Sequence, residues 1–339
     1  MKIAYIIYPE ACYTGQGNGI RIQAETWFHE LELRGHNVKL INPWGSYDWN
    51  SFDIIHVFSI GLWNYDIIHW GNRLNSHFVI SPIIDTITPI WKYRLATYWG
   101  CKRLRLFSQN YALRKLKKDI KLFFARTEHE AKYLHEGYGI SNDHIAIVPL
   151  SFRETRYDPK VPKEPFCLFV GTMTQPRKNV YRLIEAAKKY GFHLILAGNT
   201  GNKESEKQFR SIIGNAPNID ILGFVSDEEL TTLYNQAKVF ALPSINEGVG
   251  LVALEAAMHN CNIVITNLGG PKEYYPSGLA QLVDPYDVDD IGESVLRAMK
   301  DNDSQPRLRL HLEEKYNISI CTDRLLQYYS KVIEDTNDT

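Results

Sequence analysis

Two carboxylates eight positions apart, Glu247 and Glu255, stand in the segment Val239-Phe-Ala-Leu-Pro-Ser-Ile-Asn-Glu247-Gly-Val-Gly-Leu-Val-Ala-Leu-Glu255-Ala. The apolar run to Leu242 reads as a buried strand, Pro243 ends it, and the glycines that follow make a turn from which a helix begins near Gly250. A helix start presents free N–H groups and the positive end of the dipole, which suits phosphates, and glycines let backbone approach them closely. Glu247 lies just before the helix and Glu255 inside it, so the two carboxylates are expected at different depths of one pocket, each able to accept hydrogen bonds from hydroxyls. A phosphate cradle flanked by two hydroxyl acceptors describes a receptor for a nucleotide-sugar better than one for a bare nucleotide. Spacing alone also allows a loop residue and a solvated helix position, because short patterns recur by chance. The strand–turn–helix setting favours the pocket.

A second loop adds cations. In Phe169-Val-Gly171-Thr172-Met-Thr-Gln-Pro-Arg177-Lys178-Asn179, Arg177 and Lys178 stand before a helix, a fork and a point charge suited to a diphosphate. The plain alternative is a solvated pair, although cations at a helix start are mildly disfavoured by the dipole. A third loop, Gly15-Gln-Gly17-Asn-Gly19, is not a dinucleotide fingerprint. Its glycines begin seven residues beyond Tyr8, and the second strand ends Leu40-Ile-Asn42 without the carboxylate that a ribose requires. It reads either as backbone that approaches a donor phosphate or sugar, or as a structural turn.

The elements that must position these residues alternate from end to end. Short apolar runs (2–8, 37–41, 53–58, 78–83, 122–125, 145–148) are interleaved with amphipathic stretches at 21–34, 102–118 and 128–136. After Asp158-Pro-Lys-Val-Pro-Lys-Glu-Pro165 the alternation restarts, with strands at 167–170, 193–197, 219–222, 239–242 and 262–266 between helices at 180–190, 203–213, 227–236 and 251–259. Helices at 288–300 and 321–333 follow. This is the pattern of βα units building parallel sheets. The expected fold class is α/β, two doubly wound Rossmann-like domains facing a deep inter-domain cleft. The expected boundaries are residues 1–158, a proline-rich linker at 159–165, a second domain at 166–318, and a C-terminal helix at 319–339 that packs back on the first domain.

The 339 residues carry 38 Lys+Arg against 39 Asp+Glu, and that near-neutrality hides a division. Residues 1–160 hold 20 basic and 15 acidic side chains, and residues 161–339 hold 18 and 24. The first half's excess lies between Trp91 and Lys121, where ten basic residues meet one acid, Asp119. Lys102, Arg103, Arg105, Arg114, Lys117 and Lys118 belong to this run, with Leu113, Leu116 and Ile120 on the other helical face and Trp91, Tyr93, Trp99 and Phe107 nearby. Such a segment reads either as an interfacial element resting on anionic headgroups or as a solvated helix whose apolar face joins the core. With no broad basic surface and no RNA module, nucleic acid is not an expected partner. The five cysteines are scattered, without C-x-x-C, so neither a disulfide framework nor a zinc site is expected. The scattered cysteines fit a reducing cytoplasm, and no stretch approaches the length of a membrane span, so any contact with the inner face of the membrane is expected to be peripheral.

The segment Glu247-Gly-Val-Gly-Leu-Val-Ala-Leu-Glu255 resembles the Glu-x7-Glu motif of the retaining glycosyltransferases of family 4, which have the GT-B fold. The resemblance extends in order through Gly15-x-Gly17-x-Gly19, Leu31-Glu-Leu-Arg-Gly35-His36-Asn-Val38, the Gly171 to Asn179 loop, Leu196-Ala-Gly198, Gly223 to Leu230 and Gly269-Gly270-Pro-Lys-Glu273. It implies that Lys178, with Arg177, binds a donor diphosphate, that Glu255 holds the ribose hydroxyls, and that Glu247 contacts the transferred sugar. Gly17, Gly171, Thr172 and the backbone of Val249, Gly250 and Leu251 fall on the donor side, and the Phe224-Val225 turn meets the base. Thr172 stands where the family often has Arg, and Ser81-Pro-Ile-Ile-Asp85 stands where a His-Asp pair is common. The implied activity is metal-independent, retaining transfer of a hexosyl unit from a UDP- or GDP-sugar to a glycan, lipid-linked acceptor in cell-surface polysaccharide or lipopolysaccharide synthesis, with no cofactor. A noncatalytic nucleotide-sugar-binding partner and a GT-B epimerase or phosphorylase are the alternatives.

Overall fold

The computed structural model describes residues 1–7, 19–42, 45–101, 104, 106–152 and 156–337. Along the first part run β1 (Lys2–Ile6), α1 (Gly19–Leu33), β2 (Asn37–Leu40), β3 (Ile54–Phe58), α2 (Trp63–Gly71), β4 (Phe78–Ser81), α3 (Ile90–Thr97), β5 (Gly100–Cys101), β6 (Leu106–Phe107), α4 (Gln109–Leu116), β7 (Leu122–Ala125), α5 (Glu128–Lys132) and β8 (Ile145–Ile147). Six of these strands form one parallel sheet in the order β2-β1-β3-β4-β7-β8. β3, β4 and β7 are buried along their whole length, as strands covered on both faces must be.

The second part continues with β9 (Glu164–Val170), α6 (Val180–Tyr190), β10 (His193–Ala197), α7 (Lys203–Ile213), β11 (Ile219–Gly223), α8 (Asp227–Gln236), β12 (Ala237–Leu242), α9 (Leu251–Met258), β13 (Asn262–Thr266), α10 (Pro271–Tyr274), β14 (Gln281–Val283), α11 (Val288–Lys300), α12 (Ser304–Tyr316) and α13 (Ile318–Asn337). Its sheet is also all parallel, in the order β11-β10-β9-β12-β13-β14. Winding outward from the centre in both directions puts the topological switch between β9 and β12. Local chemistry sets the helix starts. Ser226 and Glu229 close a capping box on α8, and the Asp287 side chain accepts the N–H groups of Asp289 and Asp290 at the start of α11.

The chain divides into two compact units, Met1–Ser151 with Tyr316–Thr339, and Phe152–Lys315. The stretch that composition marks as a linker is therefore fastened to the second unit. The Asp158 N–H donates to Asn235 Oδ1 at 3.2 Å, and Lys163 Nζ reaches the carbonyls of Tyr234 at 2.9 Å and His259 at 2.6 Å. The strand expected from Cys167 already begins at Glu164.

The single basic helix expected over 102–118 is also revised. β6, paired antiparallel with β5, falls within its first half, and α4 starts only after Ser108, whose hydroxyl caps the Tyr111 N–H at 3.1 Å. α2, α10, β14 and α12 carry too few periodic positions, or too polar a sequence, to stand out by pattern.

α13 closes the first unit. Tyr329 is fully buried, with its hydroxyl 2.5 Å from His56 Nδ1 and 3.3 Å from Tyr5 Oη, while His56 Nε2 lies 2.8 Å from Ser81 Oγ. Outside this core, Arg34 bonds Glu30 at 2.8 Å on α1, and Asp323 at 2.5 Å and the Ser319 carbonyl at 3.1 Å on α13. Burial holds the His56 pKa well below its usual 6.5. The folded state therefore binds fewer protons than the unfolded one, and stability is complete above pH ~6.5 and lost as pH falls below it. Urea unfolding between pH 7 and pH 5 should show this loss, with a shallower slope in His56→Phe than in wild type.

Candidate functional site

The loops that follow β9 and β12 leave adjacent strands on either side of the switch point, so they meet at the carboxyl edge of the second unit's sheet. Arg177 and Lys178 come from the first loop and Glu247 from the second. Lys178 Nζ donates to Glu247 Oε2 at 2.7 Å, Ser244 Oγ donates to the same oxygen at 3.2 Å, and Arg177 Nη1 lies 3.7 Å away. Glu247 is 9 % exposed, and the Lys178 side chain is nearly as enclosed. Residues expected to meet separate parts of a ligand are thus brought together as an ion pair. Backbone bonds fix the arrangement, since the Ile245 N–H donates to the Arg177 carbonyl at 2.7 Å and the Gly270 N–H to the Glu247 carbonyl at 3.3 Å. Gly269, at φ +85°, runs so close beneath that a Cβ there would lie 2.3 Å from the Glu247 carbonyl oxygen.

α9 begins beside this pair without a side-chain cap, because its N-cap is Gly250 at φ +84°. Its first N–H groups are left for whatever enters the loop. The Gly250 carbonyl accepts from Tyr275 Oη at 3.1 Å, which holds the turn from behind. Two further atoms await partners. Arg177 Nη1 and Asn246 Oδ1 are buried and make no hydrogen bond. Native structures retain few such atoms, and here a donor and an acceptor come from the same two loops.

Glu255 lies on α9, 5 % exposed, and accepts from Tyr234 Oη at 3.3 Å. Val249 is buried, Leu251 and Thr172 are half-buried, and Gly171, also half-buried, follows β9 directly. Phe224, beyond the carboxyl end of β11, is 85 % exposed, with Val225 half-buried beside it. Gly17, Lys102, Arg103 and Arg105 lie outside the described residues.

Pattern reading missed the residue that braces the site. Asn179 sits in the left-handed region at φ 58° between Lys178 and α6, and it is buried. Its Nδ2 donates to the Pro243 carbonyl at 2.9 Å and the Pro285 carbonyl at 2.6 Å, tying together the loops after β9, β12 and β14, while Arg182 donates to its Oδ1 at 2.8 Å. The available signal was an Asn directly before a helix, where φ > 0 is tolerated best after Gly.

Two Asp-x-Asp spacings occur, Asp287-Val-Asp289 and Asp301-Asn-Asp303, and both are spent on local structure. Asp287 caps α11, Asp289 receives Lys189 at 2.5 Å, and Asp301 accepts the N–H groups of Asp303 and Ser304. Among the described residues no group of His, Cys, Asp and Glu is arranged to hold a metal ion, and no helix is long and apolar enough to cross a membrane.

In the first unit, Asp85 is engaged with Arg126 at 2.6 Å, and Arg126 also bonds Glu130 at 2.8 Å. Burial works against the Arg126 charge, but the two carboxylates outweigh it and hold the pKa above its ordinary value. Ile83, two residues before Asp85, has φ 58°, a strained state for a β-branched residue.

The basic run divides. Arg114 is turned inward, with Nε on Thr97 Oγ1 at 2.6 Å, Nη2 on the Gly137 carbonyl at 2.7 Å, and the guanidinium 3.7 Å above the Tyr98 ring. Leu113, Leu116 and Ile120 are core residues. Of the two alternatives left open for this run, α4 takes the one in which its apolar face joins the core.

Comparison with known proteins gives these folds a setting. Residues 151–315, nearly the span of the second unit, match the model of the family described as Glycosyl transferases group 1. O-antigen chain mannosyltransferase B of Escherichia coli is 31 % identical over 170 residues, 48 % of this chain and 44 % of that protein. The chain spans about half or less of the curated relatives that it matches. Among solved structures, sucrose-phosphate synthase from Thermosynechococcus elongatus superposes with a TM-score of 0.77 at 14 % identity, covering 99 % of this chain and 100 % of that one. Anabaena HepE, solved in complex with UDP, gives 0.72 at 14 % identity, covering 98 % and 100 %. These likenesses show the fold, two Rossmann-like α/β domains as in GT-B glycosyltransferases.

Asn179→Ala should lower the unfolding free energy of the second unit by about 2–4 kcal/mol, because two carbonyls lose their donor and Ala tolerates left-handed backbone less well than Asn. Asn179→Gly, which relieves the backbone cost, should lose less, and chemical denaturation of both variants checks the difference.

Proposed function

We propose that this protein is a retaining glycosyltransferase of family 4 that moves a hexosyl unit from a nucleotide diphosphate sugar to a lipid-linked glycan acceptor in cell-surface polysaccharide synthesis. The observation that carries this reading is the Lys178–Glu247 pair at 2.7 Å beside the uncapped start of α9. A cation, a carboxylate and free helix N–H groups in one place provide for a leaving diphosphate and for a sugar hydroxyl together. The family match over 151–315 and the mannosyltransferase relatives support it.

In this reading the donor diphosphate takes over Lys178 and Arg177 Nη1, which makes no hydrogen bond of its own, and Glu247, released from both cations, accepts from the sugar. Charge then builds on the diphosphate as the anomeric centre becomes oxocarbenium-like, and Arg177, Lys178 and the α9 N–H groups stabilise it in place. Fixed protein cations fill the role that a metal ion would have, so transfer is metal-independent. Glu255, steadied by Tyr234, holds the ribose, and exposed Phe224 offers a face to the base.

Contact with the inner face of an anionic membrane belongs to the same reading, through a different surface from the stripe on α4. On α3 and the β5–β6 pair, Trp91, Leu95, Trp99 and Leu104 are 62 %, 62 %, 80 % and 69 % exposed. Lys92 Nζ lies 5.3 Å from the Trp91 ring centre, so a cation flanks the aromatic face. Exposed Trp and Leu beside Lys and Arg match the boundary between acyl chains and headgroups.

Purified Glu247→Ala should keep its fold by circular dichroism and lose transfer almost completely, and near-normal turnover would sink the assignment. In a titration with nucleoside diphosphate, Lys178→Ala should bind at least about tenfold more weakly, as expected for one charge-assisted contact. In flotation with phosphatidylglycerol-containing liposomes at low salt, wild type should rise with the vesicles and Trp91→Ser/Trp99→Ser should stay behind.

A further inference from the structure

The first unit has a cavity at the edge of its sheet opposite to Ser81, Asp85 and Arg126. It lies where the chain enters the strands, with Ser76 just before β4, Lys121 just before β7 and His144 just before β8. Its volume is about 430 Å³, within the range of small-molecule sites. Asn72, Ser76, Lys117, Lys118, Lys121 and His144 supply its polar lining, and Ile120 and Ile140 its apolar lining.

The charge in this cavity is unbalanced. Asp119 is the one acid among the lining residues, and its carboxylate faces His69 at 3.6 Å. Lys117 Nζ rests on two neutral groups, the carbonyls of Tyr138 at 3.4 Å and Gly139 at 3.1 Å, which leaves one of its three N–H donors. Lys118 and Lys121 make no ion pair among the described residues. His144 Nδ1 donates to the Lys121 carbonyl at 2.8 Å, which fixes the ring and leaves Nε2 for another partner. Three lysines against one carboxylate leave the lining with a positive excess, which a multivalent anion offsets while accepting their hydrogen bonds. Asn72 and Ser76 add neutral donors to the lining. Doubly wound folds bind nucleotides at the carboxyl edge of the sheet, and this cavity lies at the opposite edge of its own.

We propose that this cavity binds a phosphomonoester, with the phosphate on Lys117, Lys118 and Lys121 and the attached carbon chain against Ile120 and Ile140. The same chemistry is presented by a soluble sugar or glycerol phosphate and by a phosphatidic acid headgroup, and the test separates them. Calorimetric titration with glycerol 3-phosphate and flotation with phosphatidylcholine vesicles, with and without phosphatidic acid, are carried out on wild type, Lys118→Gln/Lys121→Gln and Lys178→Ala. Binding in at least one arm should be weakened about tenfold or more by the double substitution and unchanged by Lys178→Ala, as removal of two charged contacts implies. Dependence on the lysines in the titration identifies a soluble phosphate, and dependence in flotation alone identifies the lipid headgroup. In the arm that binds, the ligand should also slow acylation of Lys118 and Lys121 in the wild-type protein, read by peptide mass spectrometry, which needs no altered chain. Binding in neither arm, equal binding by wild type and the double variant, or unchanged acylation rates would overturn the proposal.

Discussion

A parallel sheet wound outward from its middle has one place where neighbouring strands send their loops to opposite faces, and the chemistry of residues 152–315 depends on it. β9 and β12 are bonded neighbours, yet their helices leave in different directions, so the loops that carry Lys178 and Glu247 are parted enough to leave room and close enough to share an ion pair at 2.7 Å. Neither loop alone provides both the cation and the carboxylate. The strand order does, and it would do so for any sequence able to fill the same sheet.

What keeps this geometry from collapsing is backbone bonding more than side-chain packing. Asn179 joins three loops through two carbonyls, and Gly269 lets a fourth pass beneath Glu247 at a separation that no side chain would tolerate. The cost of that rigidity is visible in Arg177 Nη1 and Asn246 Oδ1, which remain buried without hydrogen bonds. Rigid loops that hold unsatisfied atoms have not relaxed around themselves, as is expected where a ligand completes the structure.

Much of this was legible in the chain. Alternating apolar runs and amphipathic stretches located every strand of the second sheet except β14, whose three residues are too short for a pattern, and Glu247, Lys178 and Gly250 stood out by residue type and context. Strand order was not legible, since periodicity says which residues are buried but not which strands are neighbours. Nor was the role of the basic run. Arg114 reads as a surface charge, yet the carbonyl of Gly137 and the ring of Tyr98 draw it inward, and those partners come from elements that sequence spacing does not bring together. Asn179 escaped for the same reason, because its carbonyl partners at Pro243 and Pro285 are 64 and 106 positions away.

The tyrosine that seals the first unit has a consequence for how the chain is made. Tyr5 and His56 belong to strands that leave the ribosome early, but Tyr329, to which both are bonded, emerges only after all of residues 152–315. During synthesis the first sheet must wait without the hydroxyl that faces Tyr5 Oη and His56 Nδ1, while the second unit is continuous in sequence and is complete first. The order of synthesis is therefore the reverse of the order of completion, and the interval between them is the time in which the first unit most needs protection from aggregation.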